Sequence, residues 1–131
     1  MTSKEENQVK QNLNEYLILE QLESEIKDNL MFNKKECEKK ILDALKKYPH
    51  APQPQNLLGI LSEKMDDDVQ AMAHYRAAYA LAPYYRPSRY NMDRYAEFHP
   101  KKDCFFTDED CDKADEKKKK MSKEIIKNEK R

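Results

Sequence analysis

The sequence predicts an all-α fold, and three observations carry that expectation. First, there is one glycine in 131 residues, whereas the hairpin turns and bulges of sheet proteins recruit glycine. Second, apolar residues recur at intervals of three and four, the spacing of a helix face, rather than alternating. Third, six prolines, Pro49, Pro52, Pro54, Pro83, Pro87 and Pro100, fall between these periodic stretches. There a proline ends one helix or opens the next.

The first helix is expected over residues 3–30. Ser3 with Glu6 has the form of a capping box, and Val9, Leu13, Tyr16, Leu17, Ile26 and Leu30 recur mostly at helical spacing. No proline or glycine marks a break, so one helix and two remain open. A second helix covers 33–47, with Asn33 as N-cap and Cys37, Ile41, Ala44 and Leu45 on one face. Pro49, Pro52 and Pro54 then stop it and shape a linker. The third spans 54–65, opened by Pro54 and carrying Leu57, Leu58, Ile60 and Leu61. One of Asp66, Asp67 and Asp68 caps the fourth, Val69 to Ala82, where an acidic group also suits the helix dipole. A fifth runs from Pro87 to Phe98. Beyond Lys101 the composition changes. Cys104, Phe105 and Phe106 are the last strongly apolar cluster, Thr107 to Asp110 reads as a helix start, and Asp112 to Arg131 is a run of acids and lysines. That run suits either a solvated charged helix or a flexible tail. The division is therefore a helical domain over 1–100 and a charged C-terminal element over 101–131.

Residues 37–49 and 71–83 share a pattern offset by 34 positions. Cys37, Ile41, Ala44 and Pro49 stand in register with Ala71, Tyr75, Ala78 and Pro83, and Leu58-Gly59 precedes Ala71 at a matching distance. In this pattern the chain resembles the tetratricopeptide repeat (TPR) family, in which small residues let two helices approach, a bulky one fills between them, and proline ends the hairpin. The match is strong over 52–85, partial over 18–51, and partial again near 86–99. Ser24-Glu25 and Met92-Asp93 stand where Leu-Gly belongs. The resemblance implies a short stack of antiparallel helical hairpins, flanked by the N-terminal helix and by the charged C-terminal helix or tail. Such hairpins must stack because none covers its own apolar face.

The resemblance also implies a concave groove lined by the first helix of each hairpin. By position its residues are Asn56, Ile60, Glu63 and Lys64 from the second hairpin and Tyr90, Arg94 and Phe98 from the third, with Arg86 and Arg89 at the edge. Amide, guanidinium and phenol groups suit an extended peptide, because amides bond main chain and arginine holds carboxylates. The expected role is thus a protein-interaction module, a TPR-like adaptor or scaffold that binds a peptide or helix of another protein. Exposed end faces also allow self-association. The alternative is an RNA- or DNA-binding accessory protein using the interleaved tyrosines and arginines of 84–94. Lys plus Arg equals Asp plus Glu, 25 each, so no net field favours nucleic acid.

Enzymatic classes lack their signatures. There is no glycine-rich phosphate loop and no nucleophile elbow. His99, Cys104 and Cys111 fit no zinc spacing, and the Asp66–Asp68 run lacks the ligand ladder of a calcium loop. No catalytic residue, metal or cofactor is expected. The apolar runs are too short to span a bilayer, and the N-terminus is polar. Three cysteines cannot all pair within one chain. These features together point to a cytoplasmic protein without a membrane anchor.

Overall fold

The computed structural model describes residues 2–97 and 103–129 and is all-helical, with six helices and no strand among the described residues. They are α1 (Ser3–Asn29), α2 (Lys34–Lys47), α3 (Pro52–Lys64), α4 (Asp68–Leu81), α5 (Arg86–Ala96) and α6 (Asp108–Glu129). The first expected helix is one unbroken helix of 27 residues, about 40 Å long at 1.5 Å per residue. The charged C-terminal stretch is helical over Asp108–Glu129. No helix among the described residues is long and apolar enough to cross a membrane.

The helix starts follow local chemistry. Thr2, not Ser3, caps α1. Its hydroxyl accepts from the Glu5 amide at 3.3 Å, and its own amide donates to Glu5 Oε2 at 3.1 Å. Asn33 and Asp67 cap α2 and α4 through their side-chain oxygens. α3 and α5 have no side-chain cap and start instead on Pro52 and Pro87, whose missing N–H falls where no helical partner exists. α3 thus begins two residues before Pro54. α6 opens on a reciprocal cap. The Asp110 amide donates to Thr107 Oγ1 at 3.2 Å, while the Phe106 and Thr107 amides donate to Asp110 Oδ2 at 3.0 and 3.2 Å. Between α3 and α4, Asp66 turns the chain with φ of 59°, a left-handed conformation that a short polar side chain tolerates better than most.

Connections of three or four residues join the first five helices, so consecutive helices must lie side by side. α1 packs on α2 and α3, α2 on α3, α3 most extensively on α4, α4 on α5 and α5 on α6; α3 also reaches α5. The core is Leu19, Leu22, Ile26 and Leu30 of α1 and its end, Cys37 and Ile41 of α2, Leu57, Leu58, Ile60 and Leu61 of α3, and Ala71 and Tyr75 of α4. Each fully buried Leu or Ile contributes about 1.5–3 kcal/mol of apolar transfer. The repeat positions Cys37, Ile41, Gly59, Ala71, Tyr75 and Ala78 are buried, Ala44 is half-buried, and Pro49 and Pro83 stand in the turns after α2 and α4. Gly59 faces the Tyr75 ring. A β-carbon there would lie 2.5 Å from Cδ1, 3.0 Å from Cζ and closer still to Cε1. The α3–α4 spacing therefore requires glycine.

Candidate functional site

Asn56 and Glu63 lie two turns apart on α3, and Asn91 and Arg94 lie one turn apart on α5. The α3–α5 contact brings these four side chains together beneath the non-helical segment 103–107. The main chain of Phe105 is held at both its carbonyl and its amide. Its carbonyl accepts from Asn56 Nδ2 at 3.1 Å and Asn91 Nδ2 at 2.9 Å, and its amide donates to Asn91 Oδ1 at 2.9 Å. Asn91 Nδ2 also donates to Asn56 Oδ1 at 2.8 Å. Both asparagines are fully buried, so their amides are paired by each other and by Phe105 rather than by water. The Phe105 ring meets Tyr90 edge to face, with centroids 5.3 Å apart and planes at 78°.

Glu63 collects three donors: the Tyr75 hydroxyl, the Arg94 guanidinium and, at 3.4 Å, the Cys104 thiol. Arg94 is only 3% exposed and also donates to Asn91 Oδ1 from Nε at 3.2 Å and Nη2 at 3.1 Å. A guanidinium buried this deeply requires a carboxylate and additional acceptors to offset its lost hydration. Burial pushes the Cys104 thiol up to about 11 and the Cys111 thiol up to about 12. Neither is a thiolate at neutral pH, and thiolate is the reactive form.

The first turns of α6 continue the contact with carboxylates. Arg86 Nη1 donates to Asp112 Oδ1 at 2.8 Å, Nε lies 3.4 Å from Asp108 Oδ1, and Nη1 lies 3.9 Å from Asp115 Oδ2. The Tyr90 hydroxyl donates to Asp115 at 2.9 and 3.0 Å. Lys27 of α1 pairs with Asp110. The aspartate bonds, Asp112 first, raise the guanidinium pKa of Arg86.

Of the residues expected to line a groove, Asn56, Glu63, Arg86, Tyr90 and Arg94 thus converge on one surface, and residues 104–115 of the same chain cover it. Ile60 is fully buried in the core, Lys64 is exposed, and Arg89 is exposed with its guanidinium 5.6 Å from the Tyr90 ring centre. Phe98 lies outside the described residues, as does His99. Asn91, which makes most of the clamp, escapes the sequence reading. A signal for it exists: Pro-x-x-x-Asn occurs twice, Pro52 to Asn56 and Pro87 to Asn91, 35 residues apart. The 34-residue repeat instead pairs Asn56 with Tyr90.

A separate cleft of about 360 Å³ opens beside α1, lined by Tyr16, Glu20, Glu23, Gln53, Tyr84 and Tyr85 among others. Glu23 is 6% exposed and accepts from the Tyr85 hydroxyl. Burial first, then the nearby Asp108, Glu20 and Asp110 charges, raise its carboxyl to about 8, against the lowering effect of the Tyr85 bond. Gln53 Oε1 is buried without a hydrogen-bond partner among the described residues. Farther along α1, Val9, Leu13, Tyr16 and Leu17 form an exposed apolar stripe. Compared with known proteins, the chain matches no family model, no curated protein and no solved structure.

Proposed function

We propose that the chain is a TPR-like protein-interaction module whose α3–α5 surface binds polypeptide. The observation that carries this reading is the treatment of Phe105: two buried asparagines bond its main chain, which any amino acid presents, so the surface is chemically a peptide clamp. The interlock of Gly59 with Tyr75 and the burial of Ala71 and Ala78 support a TPR-like stack as its frame. Three unpaired, buried thiols fit a reducing, cytoplasmic setting. Glu63, Arg94 and the Cys104 thiol are bonded to one another, which suits a binding surface.

The nucleic-acid alternative loses its main cations. Arg86 faces Asp108, Asp112 and Asp115, and Arg94 is buried against Glu63. Phosphate would have to displace those carboxylates.

The test uses the full-length chain carrying Phe105→Ala, which weakens the internal occupant without touching the clamp. Immobilised and exposed to a degenerate decapeptide library, it should retain peptide, and adding Asn56→Ala, which removes one of the three main-chain bonds, should weaken retention. If no peptide is held above background by a chain that still melts cooperatively, the reading is wrong.

A further inference from the structure

The internal occupant also carries a recognition rule. We propose that the surface selects, in a partner protein, a segment with the chemistry of residues 104–115: an aromatic residue at the clamp, followed by a helical turn bearing carboxylates. The chain's own segment is its built-in competitor. This rests on the proposed function above and adds the class of partner and the means of its exclusion.

Each part of the rule has a separate receptor. The Asn56–Asn91 pair fixes the main chain at Phe105 and is indifferent to sequence. The Tyr90 ring selects an aromatic side chain at that position, because edge-to-face pairing favours an aromatic over an aliphatic group. Lys27 and Arg86 then select carboxylates at the positions of Asp108, Asp110 and Asp112, three, five and seven residues on. A phenol donor from Tyr90 adds a fourth acidic position at Asp115. The two cations come from different helices, α1 and α5, and both point at the start of α6. Its N-terminal dipole already favours acidic side chains there. Such an aromatic-then-acidic segment would meet Asn56, Asn91, Tyr90, Lys27 and Arg86, the groups that Phe105 and the aspartates meet. The internal copy is tethered, so it competes at an effective concentration on the order of millimolar. A partner's segment binds strongly only when the internal one is weakened or displaced.

The probe is a fluorescent peptide of residues 103–115, titrated by anisotropy into full-length wild type, Phe105→Ala and Asp112→Ala chains. Both variants lie in the occupant and leave the receptor intact, and Asp112 is exposed, so at least one variant keeps the fold. The expected result is about tenfold tighter binding to Phe105→Ala than to wild type, the equivalent of one lost aromatic pair. Asp112→Ala should give a smaller gain that fades with salt. A peptide with its own Phe105-equivalent changed to alanine, or its aspartates to asparagines, should bind less well to every chain. Equal binding to wild type and both folded variants overturns the competition. A scrambled peptide that binds the variants as well as the native order overturns the recognition rule while leaving the interaction module standing. Failure of every peptide, including the degenerate library, removes both. A wild-type dimer that disappears with Phe105→Ala would assign the surface to a second copy of the chain and overturn the proposal.

Discussion

Replacing Gly59 by alanine sets a backbone gain against a steric loss. In a helix interior alanine is favoured over glycine by about 1 kcal/mol. The new methyl would sit 2.5 Å from Tyr75 Cδ1, with Cε1 closer still, so the ring must move. It has no free direction: Tyr75 is fully buried and its hydroxyl is bonded to Glu63, which also holds Arg94. Overpacking of this kind costs about 1–3 kcal/mol, and straining a bond to a charged acceptor adds about 1.5–3 kcal/mol. Gly59→Ala should therefore destabilise by about 1.5–5 kcal/mol net. The cause is isolated by a double-mutant cycle with Tyr75→Leu, followed by urea unfolding at 222 nm. All four chains are kept in the same sucrose concentration so that the weakest remains folded. Beside leucine the methyl has room, and Gly59→Ala should become neutral or stabilising by up to about 1 kcal/mol. If Gly59→Ala stabilises the wild type, or costs the same in both backgrounds, the close-approach argument is refuted.

Three further outcomes follow from the same geometry. Glu23 keeps its proton to about pH 8 in the folded chain, against an ordinary value of 4.5. The unfolded chain therefore releases that proton first, and stability falls as pH rises from about 4.5 through 8. Urea midpoints should show a loss on the order of 2–3 kcal/mol between pH 5.5 and 8.5 that Glu23→Gln largely removes; an unchanged slope in the variant would contradict the assignment. Arg94→Met leaves the half-buried Glu63 without its cation and should cost up to about 3–5 kcal/mol, whereas Arg89→Met, at an exposed site, should stay within about 0.5 kcal/mol of wild type by thermal melting. Asp66→Gly relieves the left-handed φ of 59° and should raise stability by up to about 1 kcal/mol; a drop in melting temperature would show that the aspartate side chain contributes more than its backbone strain.

The helices were legible because their signals are local. Asn33, Asp67, the proline starts and the spacing of Ile41, Leu57 and Tyr75 each act within one or two turns. The error at α1 has a plain cause: Thr2-x-x-Glu5 and Ser3-x-x-Glu6 spell the same cap, and spelling does not choose between them. Periodicity marked Val9, Leu13, Tyr16, Leu17, Ile26 and Leu30 as one face of α1; Ile26 and Leu30 are buried together with Leu19 and Leu22, whereas Val9, Leu13, Tyr16 and Leu17 are exposed. A periodic stripe states that a face exists but not which neighbour reaches it. The surface formed by Asn56, Glu63, Tyr90 and Arg94 was legible in part because the 34-residue spacing in the sequence suggested that they lie together. Its occupant was not. Phe105 meets Asn56 across 49 residues of sequence and Asn91 across 14, and segment 103–107 has no period of its own. Glu23 gave no warning either, since a glutamate among acidic neighbours reads as a solvated face until Tyr85 closes over it.

The most direct measurement of the account is amide hydrogen exchange at Phe105, read by NMR on the full-length chain. Its N–H belongs to no helix and donates to Asn91 Oδ1 at 2.9 Å. Exchange slowed at least about a hundredfold below the rate of an unstructured peptide, and restored by Asn91→Ala, is the result predicted for a clamped segment. Exchange at the unstructured rate in the wild-type chain would mean that the segment does not occupy the α3–α5 surface.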